Sequence, residues 1–459
     1  MERTDRRIFF RILLPALIES LISQLFLLAD SVMLGQMQGS TVAVAAVGVC
    51  AAPINLVICA ANNFFIGSTA TIAWHWGAGE KDLLRRVAWQ SFGIALAISA
   101  VLSLGAGLFS GGIMSFVCSK QELLPVAIKY FRINAVGFFF QILTMAISAA
   151  FRGVGITRIP MVYNLSGSAV NVALNYLLIY GKGGLPALGV DGAAIATVIS
   201  KVFAFAFAVV FLFLEQTPIH YQKGMDWHLV PSIRSRLLPV GLTSAAEQVV
   251  LQSGAILSTR ILSGLPTNDI ASMNIQHSIE TIIWSSGNAC GVASTTLFGK
   301  CLGEGNEKKA RGYLRMSLLF GIGCAVISGI LVALFGEELA ALFSNDSALY
   351  SRIRALLLLS VVSFPFVNIH LSVSGAMRGA GDSLAPLIAS LISLWVFRVG
   401  LGCLLVNVLH LDVFAYRWCI NFDQIVRCTI VVAMFLLGHW KKYGRIPARS
   451  GINNHEGDS

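Results

Sequence analysis

The sequence is poor in charged side chains and lacks the spacings that bind metals or carry out catalysis. Only 12% of its 459 residues are charged, whereas soluble domains carry about 25%. Its nine cysteines show no CxxC or CxH spacing, so neither a disulfide framework nor a cysteine metal site is predicted. There is no HExxH, no GxSxG and no cluster of histidine or aspartate pairs, which disfavours a membrane-embedded enzyme. We therefore expect no cofactor and no catalytic activity.

Apolar residues are abundant instead. Hydrophobic residues make up 56% of the chain and the mean hydropathy is +0.75. A soluble fold could not hide so much apolar surface, so we expect a multi-pass protein of the lipid bilayer. The net charge of +10 does not indicate nucleic acid, because basic residues also mark cytosolic loops of membrane proteins. The first apolar run, 9–34, is too long for a cleavable signal and is interpreted as a span.

Runs of about 20 apolar residues predict transmembrane helices. Twelve are predicted, at 9–34, 43–75, 87–117, 123–150, 159–181, 189–215, 237–262, 269–300, 312–342, 348–376, 384–408 and 413–439. Lysine and arginine are concentrated before the first span, after spans two, four, six and eight, and after the last span. Both termini are therefore expected in the cytosol, with the protein in the cell membrane.

Two motifs occur twice, separated each time by 226 positions. The repeated residues are Ser68, Thr69, Gly77 and Gly79, which recur as Ser294, Thr295, Gly303 and Gly305, and Ser148, Arg152, Gly153, Gly155 and Pro160, which recur as Ser374, Arg378, Gly379, Gly381 and Pro386. Each half holds an even number of spans, so the halves are parallel repeats of the kind that many transporters contain.

These observations predict an all-α membrane protein with twelve transmembrane helices in two parallel-repeat six-helix lobes. The first lobe is expected at 1–215 and the second at 237–449. The polar stretch 216–236 is predicted to be a cytosolic linker or an interfacial helix, and 450–459 a disordered tail. The chain is expected to function as a monomer.

The motifs together resemble those of the multidrug and toxic compound extrusion (MATE) family. The resemblance rests on Pro15 and Asp30 in the first span, the RGVG turn at Arg152 with its RGAGD twin at Arg378, NVALNYLLIYG at Asn171 and LGVDGAAIAT at Leu188. It extends over nearly the whole chain. It implies twelve helices in two lobes and the export of bulky, often cationic, organic compounds coupled to cation entry.

Asp30 is the first candidate for coupling. An ionised carboxylate in an apolar span costs about 2.5–3.5 kcal/mol on insertion scales. Protonation, a bound cation or a hydrogen-bond network must offset that cost. The resemblance also implies a functional acid at this position. The alternative is that Asp30 is a solvated carboxylate near the end of the span.

Span five carries polar residues on one helical face. They are Asn164, Ser168, Asn171 and Asn175, at steps of four, three and four. The resemblance adds Thr197 and the carbonyl of Ala193 from span six. Asp30, Asn171, Asn175 and Thr197 are then candidate ligands of Na⁺. Members that bind Na⁺ have aspartate where this chain has Asn175, so the coupling ion, H⁺ or Na⁺, stays open. The alternative role of the stripe is interhelical hydrogen bonding.

Two other residues of span one stand out. Glu19 shares a helical face with Asp30 and is either a relay toward the cytosol or a carboxylate paired near a basic rim. Pro15 lacks a backbone N–H and can bend the helix. The resemblance implies that Pro15 is a hinge, whereas the alternative is a proline at a helix start.

The candidates for a substrate cavity are Ser168, Glu247, Gln252, Gln276 and Glu280. Acidic residues that face a cavity would favour cationic, amphipathic compounds, and Trp284 is a candidate aromatic contact. Structural hydrogen bonding is the alternative role. We expect a secondary antiporter for multidrug efflux that works by alternating access between the lobes. The rivals are a flippase of lipid-linked saccharides or precursors from the same wider superfamily, and a channel.

Overall fold

The computed structural model describes residues 2–35, 41–118, 120–182, 184, 186–214, 217–220, 228–343 and 346–444. These residues are almost wholly helical and contain no strand. The α-helices are α1 Arg3–Gly35, α2 Thr41–Phe64, α3 Ile66–Gly77, α4 Lys81–Leu108, α5 Ser110–Val117, α6 Leu124–Gly153, α7 Arg158–Tyr180, α8 Gly189–Phe213, α9 Leu238–Leu262, α10 Thr267–Gly303, α11 Glu307–Ala341, α12 Tyr350–Val361, α13 Phe364–Ala380, α14 Leu384–Ser393, α15 Val413–Leu436 and α16 Lys441–Gly444. A π-helical turn, Ile233–Leu237, precedes α9, and α14 continues as π-helical turns at Leu394–Leu401 and Leu404–Val408.

The all-α membrane fold predicted from the sequence is confirmed. Each of the twelve predicted spans coincides with one helix or with consecutive helices of the described chain. By length and composition, eight helical segments of the described residues are apolar enough to cross a membrane, or nine if α12 and α13, which are bent by 47°, form one span. Helices α7, α9 and α10 have 23, 25 and 37 residues, long enough to cross a bilayer, but they carry many polar residues.

The duplication is visible in how the helices pack. In the first half α6 packs against α4 and α8, and α7 packs against α8. The second half repeats these contacts, with α13 against α11 and α15, and α14 against α15. Contacts between the halves are paired in the same way, because α1 lies against α10 while α9 lies against α2.

Helix α1 connects the two halves. Near its start Phe9, Ile12, Leu13 and Ala16 belong to an apolar core formed by helices of the second half. Near its other end α1 lies along α7 of the first half, and the Asp30 side chain accepts a hydrogen bond from that helix. A shift of α1 against either half would therefore change contacts in both.

Four helices, α3, α6, α10 and α13, end close together beside the start of α1. Because Arg152, Lys300 and Arg378 lie in the last turns of α6, α10 and α13, we call this the basic end of the molecule. A Cβ at Gly77 would lie 1.9 Å from the carbonyl oxygen of Lys300, and one at Gly303 would lie 2.1 Å from that of Trp74. Only glycine allows this approach of α3 and α10. The halves are thus in direct backbone contact at the basic end.

The predicted linker is partly described. Its residues 228–236 include Ile233, which is buried in the core of the first half, and Arg236, whose Nη2 donates to the carbonyl oxygen of Gly379 at 2.8 Å. The linker segment therefore joins both halves at the basic end. The predicted tail, 450–459, lies outside the described residues.

Candidate functional site

A polar cluster lies between α1, α7 and α8, toward the end of α1 that is remote from the basic end. Asn175 Nδ2 donates to Asp30 Oδ1 at 2.9 Å and to Asn171 Oδ1 at 3.2 Å. Asn175 is only 3% exposed, and its Oδ1 has no hydrogen-bond partner among the described residues. The site thus contains one carboxylate and a spare buried oxygen.

Helix α8 completes this cluster. Thr197 Oγ1 lies 3.4 Å from Asn171 Nδ2 and donates to the carbonyl oxygen of Ala193 at 2.9 Å. With the Asn171 amide turned over, its nitrogen would lie 3.1 Å from both carboxylate oxygens of Asp30 and its oxygen would accept from Thr197 N. Amide orientation is assigned from the hydrogen-bond network, and this orientation satisfies both ends of the Asn171 amide. The structure brings together all five residues proposed for cation binding, and we call them the Asp30 site.

The remaining polar residues of α7 lie elsewhere. Asn164 Nδ2 donates to Glu19 Oε1 at 2.7 Å, and Ser168 Oγ donates to the Asn164 carbonyl within its own helix. The polar face of α7 therefore serves two different carboxylates. Ser168 lies between them and does not line the central cavity described below.

Glu19 belongs to an ion-paired triad. Its Oε1 accepts from Arg152 Nη2 at 2.9 Å as well as from Asn164, while Oε2 has no partner among the described residues. Of the two roles that the sequence left open for Glu19, this geometry is that of the paired carboxylate. Arg152 comes from the repeated RGxG turn at the end of α6.

The second half contains the equivalent triad. Glu247 Oε2 accepts from Arg378 Nη2 at 2.5 Å, and its Oε1 accepts from Ser390 Oγ at 2.9 Å. Arg378 and Ser390 lie 226 positions after Arg152 and Asn164, whereas Glu247 lies 228 positions after Glu19. The second half thus forms a similar triad, with serine in place of asparagine and the glutamate displaced by two positions.

Both triads face a central cavity of about 560 Å³ between the halves. Glu19, Arg152, Glu247 and Arg378 line it. So does Trp284, whose indole Nε1 is buried without a partner in the described structure. The cavity is large enough for a drug-sized molecule.

Most of the proposed cavity residues are not in its wall. Among Ser168, Glu247, Gln252, Gln276 and Glu280, only Glu247 lines the cavity. Gln276 is fully buried and donates to Ser360 Oγ at 2.9 Å. Glu280 is 1% exposed, and its two carboxylate oxygens contact the Arg417 guanidinium at 2.7 and 3.1 Å. Polar residues on a shared helical face do not reveal whether that face meets a cavity or another helix.

A buried charge network in the second half was missed by sequence reasoning. Asp423 lies between Arg398 Nη2 at 2.8 Å and Arg427 Nη2 at 2.6 Å. Its Oδ atoms are fully buried, whereas Arg427 reaches the cavity wall. The available signal was charged residues within two otherwise apolar spans, Arg398 in span eleven and Asp423 with Arg427 in span twelve. No group of three or more histidine, cysteine, aspartate or glutamate side chains that could hold a metal ion occurs in the described part of the chain.

Pro15 lies inside α1, which runs as one helix across it. Because Pro15 has no N–H, the Arg11 carbonyl lacks its usual partner one turn later. Thr157, from the turn after the RGVG motif, donates its hydroxyl to the carbonyl oxygens of Ile12 at 2.9 Å and Arg11 at 3.4 Å. Thr157 thus stabilises the weakened turn of α1, a contact that only the fold reveals.

The comparisons with known proteins agree over most of the chain. A family model, MatE, matches residues 15–177 and 244–404. The "Probable multidrug resistance protein NorM" of Thermotoga maritima is 29% identical, over 95% of this chain and 93% of the relative. The "Multidrug resistance protein PmpM" of Pseudomonas aeruginosa is 26% identical, over 84% of this chain and 81% of the relative.

Solved structures share the fold. One, described as the "Outward-facing conformation of a multidrug resistance MATE family transporter of the MOP superfamily", has a TM-score of 0.87 and 22% identity, over 95% of this chain and 97% of that one. A MOP superfamily transporter from Pyrococcus furiosus has a TM-score of 0.88 and 21% identity, over 96% and 97%. The description of that structure concerns "reverse polarity of binding pocket".

Proposed function

We proceed from the fact that this chain belongs to the MatE family of transporters, and we propose that it is a secondary antiporter for multidrug efflux. It exports bulky organic compounds through the central cavity in exchange for H⁺ or Na⁺ bound at the Asp30 site. The basic end and both termini lie in the cytosol, and the protein resides in the cell membrane. Its proposed partners are the transported compound, the coupling ion and the lipid bilayer.

The geometry of the Asp30 site carries this proposal. Asp30 is the only carboxylate of the site, and no arginine or lysine is bonded to it among the described residues. This contrasts with Glu19, Glu247 and Glu280, each of which is paired with an arginine. A lone carboxylate within a span is costly when ionised, so the site gains free energy from one monovalent cation.

Either ion fits the groups present. A proton on Asp30 would be held by the Asn171 and Asn175 amides, which can present oxygen or nitrogen. Na⁺ would be bound by oxygen atoms of Asp30, Asn171, Asn175 and Thr197 with the Ala193 carbonyl, and hard cations prefer such ligands. One carboxylate balances one positive charge in both cases.

Helix α1 provides the coupling between ion and compound. It contacts α7 at the Asp30 site and the second half near its start. Cation binding changes the charge that faces α7, and the turn at Pro15 lets α1 bend without breaking a regular backbone hydrogen bond there. We propose that the lobes 1–215 and 237–449 rock against each other and thereby separate the glycine contacts at the basic end. The cavity then opens to the cytosol.

The expectation of cationic compounds rests on carboxylates in the cavity wall. Glu19 and Glu247 are present there, but both are bonded to arginine. Cationic compounds therefore stay a prediction, because the carboxylates of the cavity wall are already paired with arginine.

The test is efflux from proteoliposomes of the purified protein under separately imposed Na⁺ and pH gradients. The probes are rhodamine 123, a cationic ester, and rhodamine 110, its free acid. We expect at least one gradient to drive dye transport and Asp30→Asn to reduce it to the level of empty liposomes. Asp191→Asn is the matched control, because Asp191 pairs with Lys129 at a helix end. Gradient-driven transport by D30N at the wild-type rate, or no transport of either dye by wild type, would overturn the proposal.

A further inference from the structure

We propose that the second-half wall of the central cavity holds a subsite for an acidic group of the transported compound, formed by Arg427 with Gln424 and Trp284. This inference rests on the proposed function, since it names the chemistry of the compound that the cavity takes. The acidic group is a carboxylate or a phosphate on a bulky organic body. The compound is then anionic or zwitterionic.

Arg427 has a donor to spare. It lies on α15, is 5% exposed and lines the cavity. Its Nε donates to Ser393 Oγ at 3.1 Å and its Nη2 to Asp423 Oδ1 at 2.6 Å. These two bonds fix the guanidinium plane, and Nη1 makes no hydrogen bond with another described residue. A fixed arginine with one free edge is suited to bind an oxyanion.

The charges around Arg427 do not balance. Asp423 is shared by Arg398 and Arg427, so this group of three carries one excess positive charge. The next acid, Glu280, is already matched by Arg417. An uncompensated charge inside a membrane protein is costly, and an anion in the adjoining cavity would offset it.

The carboxylates of the cavity wall contribute little net negative charge that could bind a cation. Glu19 is paired with Arg152 at 2.9 Å and Glu247 with Arg378 at 2.5 Å. Each pair is neutral as a unit. The free Oε2 of Glu19 can still accept one hydrogen bond, but it adds no net negative charge to the cavity.

Two further donors lie in the same wall. The Trp284 indole N–H is buried and has no partner in the described residues. Gln424 lies on the same helix as Arg427, three residues earlier, and also lines the cavity. Residues three apart on a helix are neighbours, so the Gln424 amide and the Arg427 guanidinium can contact one oxyanion. His370 lines the cavity nearby and contacts Ser374.

The duplication offers an internal comparison. The residues 226 positions before Asp423, Gln424 and Arg427 are Thr197, Val198 and Lys201. Thr197 belongs to the Asp30 site, and neither Val198 nor Lys201 lines the central cavity. The donor set is thus specific to the second half.

The experiment measures equilibrium binding of rhodamine 110 and rhodamine 123 to the purified protein by fluorescence anisotropy. The two dyes differ only in one carboxylate and its methyl ester. Because Arg427 would donate a charged hydrogen bond to the carboxylate, we expect wild type to bind the acid about tenfold more tightly than the ester. Arg427→Gln should remove this difference while ester binding changes less than about twofold. Equal affinity in wild type, or a preference that survives R427Q, would overturn the subsite.

Controls separate this inference from the proposed function. Arg398→Gln removes the excess positive charge of the group but leaves Arg427 Nη1 at the cavity wall, so the preference for the acid should weaken without disappearing. If R427Q does not fold, Arg427→Lys keeps the ion pair with Asp423 and removes Nη1, and the preference should still fall. Asp30→Asn should leave the preference unchanged even though it abolishes gradient-driven efflux. If D30N still transports while R427Q loses the preference for the acid, the coupling proposal is overturned and the subsite is retained.

Discussion

The two halves of this protein have kept one polar arrangement and changed another. In both halves a glutamate of the first helix is bonded to the arginine of an RGxG turn. The same glutamate also accepts a hydrogen bond from Asn164 in the first half and from Ser390, at the matching position, in the second. The Asp30 site has no equivalent. The positions that match Asn171 and Asn175 hold Phe397 and Leu401 in the second half.

The position that matches Thr197 shows the change most clearly. In the second half it is Asp423, held between two arginines. An aspartate bonded in this way has no need of a transported cation, whereas Asp30 accepts a hydrogen bond from the Asn175 amide and contacts no arginine or lysine of the described chain. The comparison teaches that the number of acids in a span does not identify a coupling site. The bonding partners of each acid decide whether a cation is required.

The largest expected effect comes from these matched positions. Asp423→Asn leaves two buried arginines without their anion, and breaking a buried ion pair costs about 3–5 kcal/mol. Thr197→Ala removes neutral hydrogen bonds and should cost about 1 kcal/mol. Thermal unfolding in detergent measures both. We further expect T197A, but not a folded fraction of D423N, to change the ion concentration needed for half-maximal transport. Similar melting temperatures for the two variants would contradict the assigned difference.

The conserved triads give the next largest effect. Glu247 is more enclosed than Glu19, with side chains 3% and 11% exposed. Loss of a charged hydrogen bond in such a place costs about 1.5–3 kcal/mol, so Glu247→Gln should lower the unfolding free energy by this amount and Glu19→Gln by less.

The control for the triads is Glu337→Gln, at an exposed pair with Arg354. Exposed pairs contribute about 0.2–1 kcal/mol. A loss for E19Q larger than that for E247Q would contradict the argument that the more enclosed carboxylate contributes more to stability.

Much of the fold followed from hydrophobic runs and from the 226-residue repeat. These features depend on local sequence, so the twelve predicted spans coincide with helices of the described chain. The Asp30 site was also accessible, because the face shared by Asn171 and Asn175 is fixed by helical periodicity and the resemblance supplied Thr197 and Ala193.

Other parts of the site depend on which helices meet. Gln276 and Glu280 share a face, but that face meets α12 and α15 rather than the cavity. The partner of Pro15, Thr157, is distant in sequence, and the contact of Arg427 with the cavity depends on the packing of α15. A single sequence does not contain that information.

A smaller effect is expected where the halves touch. Gly77→Ala and Gly303→Ala place a methyl group against backbone at 1.9 and 2.1 Å, and overpacking of this kind costs about 1–3 kcal/mol. Both should therefore destabilise closure at the basic end. Cys301, which is buried beside Gly303, should react with a membrane-impermeant thiol reagent about fivefold faster, a factor that corresponds to about 1 kcal/mol.

Peptide-level mass spectrometry measures this labelling. Gly105→Ala is the control, because no atom lies within 4 Å of the added Cβ. Equal reactivity of Cys301 in G77A, G303A and G105A would show that the glycine contacts do not hold the halves together.

The smallest expected effect is a change in ion preference at the Asp30 site. Asn175 Nδ2 donates to Asp30 Oδ1 at 2.9 Å, so Asn175→Asp brings two carboxylates into contact, and their repulsion is relieved by a cation. We expect the ratio of Na⁺-driven to pH-driven efflux to rise on the order of threefold, which corresponds to less than 1 kcal/mol. Asn164→Asp is the matched control on the same helix, because Asn164 is bonded to Glu19 and the added charge lies next to Arg152. If both variants shift the ratio equally, the effect reflects the charge of α7 as a whole, and the distinction between a carboxylate held by amides and one held by arginine fails.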